Sequence, residues 1–495
     1  MIDPASKPPR PPRSAVFRAD AGAAIGLGHV ARCAALAEHL LPLGWTCHLV
    51  APMSSDAPFD LGMFATISAP PRDEEETALP PALRSTMHDL LVVDHYGLGA
   101  RFERAARAGA STILVFDDLA RPHVADVLVD GADAGRARAY EGLIPVACEG
   151  LAGPDYVPLR ALVFAARANA IRSRQGPVRR LLVALGSGST SDLTRRVVEQ
   201  ALRIAPGCRI DVVMGAGEVP HHESITVHRT TGRLIELMAN ADAAIGAGGV
   251  AAWERCALGL PSVAVVTAEN QQAVVAALAA HQAAIVVGHA AAVDESALGD
   301  AVAQLIGDAG CRRKISRNAA RMCDGLGAAR LAAMLDAPVR ARDGTKVRLT
   351  RARPADGEIM LAWQRDPRTR QYARNRDVPT AEEHYRWLER KLDDPDCILH
   401  VIRHGDAPAG VLRLDRCAGE GESWMISIYV APEKYRLGIA LAALALARRL
   451  RAGATLLAEV FADNAASQRL FRAAGFVWTG SRFAMAPLAG AEASP

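Results

Sequence analysis

The chain has 495 residues, enough for about three domains at roughly 150 residues each. Its 57 Lys and Arg against 54 Asp and Glu leave a formal charge of +3, too small a field to draw in nucleic acid or an anionic membrane surface. With 50% hydrophobic and 22% charged residues it is not a disordered chain, and its 9 cysteines, odd in number and never in C-x-x-C spacing, speak against a disulfide framework or a zinc site.

Residues 1–14 form a Pro-rich, basic tail with no apolar core, so no signal peptide is expected. A first unit, 15–175, alternates strand-like and helix-like runs. Ser14–Arg18 reads as a strand, Val30–Leu40 as a helix and Thr46–Ala51 as a strand. Asp89–Asp94, Ser111–Asp117 and Val124–Asp130 are further strands, the first two of them apolar runs that end in carboxylates. This is the βαβ pattern of a buried parallel sheet. A second unit, 176–335, repeats the pattern: strands at Arg180–Ala184, Ile210–Met214, Ala243–Ile245 and Ser262–Val266, a helix at Leu193–Ile204, and helical sequence from Glu295 to Leu335. The longest apolar stretch, Ala273–Val293, is Ala-rich and broken by His281, Gln282 and His289, short of the roughly 20 strongly apolar residues a membrane span needs. A soluble, cytoplasmic protein is expected. By composition residues 336–345 are a linker. From 346 to 488 strands cluster around a few helices: Val347–Arg353, Ile398–Arg403, Ala409–Asp415, Trp424–Val430 and Thr455–Phe461, with helices at Ala381–Leu392, Leu437–Arg451 and Ser467–Ala474. That is a mixed α+β domain, followed by a tail at 489–495.

After the first strand the chain reads Arg18-Ala-Asp20, then Ile25-Gly26-Leu-Gly28-His29-Val30, then Arg32. The glycines permit a tight loop where a ligand can approach the backbone, and a helix opening near His29 offers free N–H groups to a phosphate. The dipole of that helix would keep His29 neutral and able to act as a base. Taken alone, the pattern equally suits a plain turn with a capping histidine. The run R-A-D…I-G-x-G-H-V-x-R-C resembles the UDP-sugar hydrolases of pseudaminic acid biosynthesis, which are similar to two-lobed glycosyltransferases of the B type. Asp94-His-Tyr96, Phe116-Asp117-Asp118-Leu119, Gly153-Pro-Asp-Tyr156, Leu159-Arg160 and, most specifically, Ala241-Asp242-Ala-Ala-Ile-Gly246-Ala-Gly248-Gly249…Trp253-Glu254-Arg-Cys256…Leu258-Gly259-Leu-Pro261 with Asn270-Gln271 carry the same resemblance.

The resemblance implies two Rossmann-like lobes over about residues 15–335 that cleave the anomeric C–O bond of UDP-2,4-diacetamido-2,4,6-trideoxy-β-L-altropyranose with inversion. His29 would activate water. Arg18, Asp20, Gly26, Gly28, Arg32, Asp94, Tyr96 and Gly186 would line the substrate. Gly248 and Gly249 would present N–H groups to the diphosphate, Glu254 would accept from the ribose hydroxyls, and Asn270 and Gln271 would contact the sugar or orient the water. On the residues alone Glu254 is equally an exposed helix carboxylate, and Asn270-Gln271 a helix cap. Val250-Ala251 stand where the family has Ser or Thr, and the loop Gly186-Ser187-Gly188-Ser189-Thr190 replaces its G-G-S/T-D turn. Asp117 and Asp118, neighbours that point apart on a strand, chelate poorly, so no metal is expected.

In the last domain, Trp424–Val430 is followed by Ala-Pro432-Glu-Lys-Tyr435-Arg436-Leu437-Gly438-Ile439-Ala440: a strand, a short basic Gly loop and an apolar helix. Such a turn presents N–H groups to a pyrophosphate. With Glu459…Asp463-Asn464…Leu470-Phe471…Gly475-Phe476 it is similar to GNAT N-acetyltransferases, and Trp363, His384 and Trp387 resemble the sugar 4-N-acetyltransferase of the same pathway. The resemblance implies acetyl-CoA as cosubstrate, held by Val430, Arg436, Gly438, Ala440 and Asn464, with Glu459 as base through water; Glu459 also reads as a structural strand residue. Tyr435 stands where Arg or Gln is usual, and Phe471 where a Tyr often protonates the thiolate. Together the resemblances imply a bifunctional enzyme acting on UDP-linked amino sugars, with no nucleic acid or membrane partner.

Overall fold

The computed structural model describes residues 13–22, 26–52, 60–70, 86–174, 176–186, 190–229 and 232–488. Most of the N-terminal tail, Ile25, Ser187-Gly188-Ser189 and the tail at 489–495 lie outside the described residues. The chain divides into two compact units: residues up to Ala166 with Ser173–Ala328, and Arg167–Arg172 with the rest of the chain from Ala329.

The first unit holds two parallel sheets. One contains β1 (Arg13–Ala19), β2 (Trp45–Val50), β3 (Thr66–Ser68), β4 (His88–Asp94), β5 (Ala110–Phe116), β6 (Val127–Asp130) and β7 (Glu149–Ala152), in the order β3-β2-β1-β4-β5-β6-β7. The other contains β8 (Arg180–Ala184), β9 (Arg209–Val213), β10 (Ile225–His228), β11 (Ala243–Ala247), β12 (Ser262–Val266) and β13 (Ile285–His289), in the order β10-β9-β8-β11-β12-β13. Their central strands are apolar on both faces because helices cover both, as in β4, where Leu90 to Asp94 are all buried. The helix Ser191–Ile204 shows the complementary stripe, burying Leu193, Val197, Val198 and Ala201 against this second sheet. In each sheet the strand order reverses once, between β1 and β4 and between β8 and β11. Crevices for ligands open at the carboxyl ends of such strands.

The second unit is built on β14 (Val347–Arg351), β15 (Cys397–His404), β16 (Ala407–Arg416), β17 (Ser423–Val430), β18 (Thr455–Ala458), β19 (Val477–Trp478) and β20 (Phe483–Met485), in the order β14-β15-β16-β17-β18-β20-β19. All pairs are antiparallel except β17 with β18. Met360, Trp363 and Leu388, from the helices Gly357–Arg365 and Ala381–Asp393, pack on Leu399, Val401 and Val411 of the sheet. No helix among the described residues is long and apolar enough to cross a membrane.

Three expectations change. The helical run from Glu295 is three helices, because Asp294 and Asp308 cap separate starts at Glu295 and Ala309, accepting from the N–H groups of Ala297 and Cys311, and Gly325 turns the chain at φ 82° before Gly327–Asp336. The strand expected to reach Phe461 ends at Ala458, so Glu459 lies beyond it. The stretch 336–345 is not a loose tether. Ala341 and Arg342 donate backbone hydrogen bonds to Thr345 and Leu437, and Val347 donates to Val339, which ties the segment to the second unit.

Gly327 fixes one close approach in the first unit. A Cβ there would lie 2.1 Å from the Val157 carbonyl oxygen. Backbone cannot yield as a side-chain tip can, so Gly327→Ala is expected to cost about 2 kcal/mol or more, read as a lower midpoint of the first unit's transition in thermal or urea unfolding.

Candidate active sites

At the β1/β4 reversal the buried carboxylate of Asp94, last residue of β4, organises its surroundings. Its Oδ1 lies 2.5 Å from His29 Nδ1, and Arg32 grips it through Nε to Oδ2 at 2.9 Å and Nη2 to Oδ1 at 2.6 Å. His29 and Arg32 stand one turn apart on the helix Gly28–Leu40, a spacing that puts both on one face. Burial opposes ionisation of Asp94, but the Arg32 charge and the His29 contact outweigh it and hold its carboxyl below the usual range. An ionised Asp94 only accepts, so the His29 Nδ1 carries the proton in this contact.

Tyr96 packs edge-on against His29 with ring centroids 4.6 Å apart. Its hydroxyl donates to Asp118 Oδ2 at 3.1 Å and accepts from Asn270 Nδ2 at 2.6 Å, so the residue after β12 reaches across to the first sheet's site. Burial and the charge of Asp94 push the Asp118 carboxyl up, against the pull of Arg32. Asp117 turns the other way, to Arg121 at 2.7 Å and Tyr140 at 3.0 Å. Asp20, largely buried, lies 3.7 Å from His95, whose imidazole burial and the Arg18 charge push down to about 4. Gly26, with φ 81°, closes a small loop by donating to the Gly22 carbonyl at 2.7 Å.

At the β8/β11 reversal, Gly186 leaves β8 with φ 93°, and Gly248-Gly249 lead from β11 into the helix Val250–Ala257. Gln271 Oε1 accepts from the N–H of Gly248 at 3.1 Å and from the N–H and hydroxyl of Thr267 at 3.0 and 3.1 Å. Burial pushes the Glu254 carboxyl up to about 7, against Arg255 and Arg160.

Several anticipated roles are corrected. Arg18 is 2% exposed and donates to the Ala19 carbonyl, so it supports the site from within. The Gly248 N–H is occupied by Gln271, and a Cβ at Gly248 would meet Val275 at 2.4 Å, so this glycine serves packing. Gln271 spends its carbonyl oxygen on that turn, not on a ligand. The first N–H groups of the helix remain to meet an anion. Tyr96, Asp94, His29, Arg32 and Asn270 do come together; His95 and Asp118, beside motif residues, were not anticipated as site members.

In the second unit β17 and β18 pair only from Ser423↔Thr455 to Met425↔Leu457, while β17 runs on to Val430, which leaves the end of β17 unpaired on that side. Arg436 and Gly438 take positive φ, 67° and 78°, and the helix Ile439–Leu450 starts directly after them, with Ala440 in its first turn. Glu459 forms an ion pair with Arg374, which sets a cation beside the anticipated base. Asn464 Oδ1 accepts from the Ser467 N–H at 3.0 Å, so its oxygen caps the following helix and is not free for cofactor. Phe471 is buried between Phe476 and Phe483. His384 is buried and its Nε2 contacts the Gly357 carbonyl at 3.0 Å, a structural role.

Comparison with known proteins bears on both units. Residues 346–477 match the acetyltransferase (GNAT) domain family. The UDP-2,4-diacetamido-2,4,6-trideoxy-beta-L-altropyranose hydrolase of Campylobacter jejuni is 29% identical over 147 residues, 29% of this chain and 51% of the hydrolase, so the match spans about half of that relative. The spore coat polysaccharide biosynthesis protein SpsG of Bacillus subtilis is 26% identical over 344 residues, 64% of this chain and 96% of the relative. The chain joins a region homologous to these two proteins to a GNAT acetyltransferase domain. Among solved structures, the ribosomal L7/L12 alpha-N-protein acetyltransferase RimL in complex with coenzyme A is 15% identical, covers 28% of this chain and 94% of its own, and has a TM-score of 0.26.

The acetyltransferase domain thus carries the diverging strand pair and the positive-φ loop, and the hydrolase-like region carries the His29 and Gly248-Gly249 sites. Glu254 offers a direct test of the latter's electrostatics. Its carboxyl titrates near 7 in the fold against 4.5 ordinarily, so the fold favours the protonated form. Stability therefore declines as pH rises from about 4.5 to 7, with the full penalty above 7. Glu254→Gln is expected to stabilise the first unit by roughly 2 kcal/mol at pH 8 and by nothing at pH 4, read from urea midpoints at the two pH values.

Proposed function

We propose that the chain is a bifunctional sugar-nucleotide enzyme. The acetyltransferase domain transfers acetyl from acetyl-CoA to the 4-amino group of a UDP-linked 4-amino-4,6-dideoxy sugar. The hydrolase-like region, read as a two-lobed fold of the glycosyltransferase-B type, then hydrolyses UDP-2,4-diacetamido-2,4,6-trideoxy-β-L-altropyranose to UDP and the free sugar, inverting the anomeric carbon. The observation that carries the hydrolytic half is the His29–Asp94–Arg32 contact at the β1/β4 reversal, tied through Tyr96 to Asn270 from the second sheet. The Nε2 of His29 takes a proton from water as the water oxygen bonds to the anomeric carbon. The C–O electron pair leaves with the phosphate. Asp94 stabilises the imidazolium that forms, and Arg32 keeps Asp94 ionised. The helix Val250–Ala257 receives the leaving diphosphate at its N-terminus. No step requires a metal.

In the acetyltransferase half, the acetyl thioester lies where β17 parts from β18, its carbonyl toward the backbone at Val430, and the CoA pyrophosphate meets the loop Arg436–Ala440. Glu459 takes the amine proton through water, with Arg374 setting its orientation, as the amine nitrogen bonds to the thioester carbon; the C–S electron pair leaves on the CoA sulfur, which is protonated from water. Because the two reactions are successive, fusion releases the first product near the second site.

A second reading is suggested by the polysaccharide biosynthesis in the name of SpsG: the same site passes the sugar to an acceptor hydroxyl in place of water. Incubating the full chain with the UDP-4-amino sugar and acetyl-CoA, followed by NMR, distinguishes them. Hydrolysis gives UDP and free diacetamido sugar without added acceptor; a transferase gives neither. His29→Ala is expected to lower UDP release about 100-fold or more while acetylation continues, and Glu459→Gln to slow acetylation alone. Unchanged UDP release from His29→Ala would overturn the mechanism.

A further inference from the structure

Arg255 lies in the second turn of the helix Val250–Ala257, and its side chain runs back toward the helix start, as helical side chains do. It is 1% exposed. Its Nη2 donates to the Ala247 carbonyl at 2.7 Å, whereas Nε and Nη1 have no hydrogen-bond partner. Among the described residues it makes no ion pair. The guanidinium lies against β11 at Gly246, where a Cβ would come within 2.4 Å of Nη1 and 2.8 Å of Cζ. The glycine and the arginine are therefore fitted to each other.

Other arginines of this unit show what satisfaction looks like. Arg312, 8% exposed, donates to the carbonyls of Leu305, Ile306 and Gly176, and Arg174 to those of Ala241, Met238, Ala239 and Leu258. A buried guanidinium with two idle N–H groups and no counter-ion works against folding. Burial pushes even this strong base down to about 10, which still leaves it charged at neutral pH. The adjacent carboxylate, Glu254, is itself pushed up to about 7 and neutralises little of that charge below that pH.

Its place in the fold gives the charge a use. It sits under the turn Gly246–Gly249, at the carboxyl end of β11 beside the reversal with β8, just behind the N–H groups of the helix start. An anion seated on that start would have protein, not water, between itself and Arg255, so the attraction would be weakly screened. We propose that Arg255 is a positioning residue for the leaving diphosphate: it braces the Ala247 carbonyl and supplies a fixed countercharge beneath the turn without touching the ligand. The charge on the diphosphate grows as the anomeric bond breaks, so the countercharge favours UDP over intact UDP-sugar and the transition state over the ground state. The inference rests on the reading of this turn as the seat of UDP.

The test titrates the full-length protein and its Arg255→Met variant with uridine, UMP and UDP by calorimetry, and melts both proteins without ligand. The expected result is a loss of about tenfold or more in UDP affinity, a smaller loss for UMP and less than about twofold for uridine, with an unliganded melting temperature equal to or above that of the wild type. Arg255→Lys should recover most of the UDP affinity. Equal losses for all three ligands, or no loss for UDP, would overturn the proposal in favour of a purely structural arginine. A wild type that binds none of the three overturns the nucleotide reading itself, and the role of Arg255 with it. If Arg255→Met does not fold, Arg255→Gln gives the same comparison with a polar stem.

Discussion

The carboxylate of Asp94 is the constraint around which the first unit is arranged. It ends a strand that is apolar and buried on both faces, so its charge cannot reach water. Such a group is tolerated when its oxygens are held by hydrogen-bond donors and faced by a countercharge. The helix after β1 provides them, with His29 and Arg32 on one face and one turn apart. The demand of a buried charge thus holds the imidazole in a fixed orientation beside Asp94. Exchanging Arg32 for a neutral residue would leave the buried Asp94 charge without its counter-ion.

The same topology occurs twice in this unit with different chemistry at the reversal. The first sheet gathers titratable side chains there. The second gathers backbone, with glycines at the end of β11, a helix start, and Gln271 bracing the turn through one oxygen that accepts from three donors. The Asn270–Tyr96 bond joins them, tying the segment after β12 to the first sheet's site. The acetyltransferase domain makes its opening by another route. A parallel strand pair stops pairing after Met425↔Leu457, and a loop with two positive-φ residues turns directly into a helix.

Much of this was legible from the order of residues. Buried parallel strands announce themselves as apolar runs ending in carboxylates, and DLLVVD and STILVFD fell where β4 and β5 lie. Short or polar edge strands did not. Thr66–Ser68, Glu149–Ala152 and Ile225–His228 are too brief or too exposed for period to mark them, and only their pairing with a neighbour makes them strands. His29, Arg32, Asp94, Tyr96 and Asn270, far apart along the chain, meet in the fold. Their division of labour was less accessible. Gln271 and Asn464 look like ligand-facing amides in a motif, yet each commits its oxygen to a turn or a helix cap.

The sequence by itself determined the alternation of strands and helices and the strand-loop-helix placement of the glycines, because hydrophobic period and backbone permissiveness are local properties; the residues that meet at β1 and β4 were singled out by the family resemblance. Only the tertiary structure decided which polar atoms remain available. Whether Asp94 pairs with His29, whether Glu254 is pushed toward neutrality by burial, and whether Arg255 finds partners depend on groups brought together from distant parts of the chain, and on how much water the packed strands and helices leave between them.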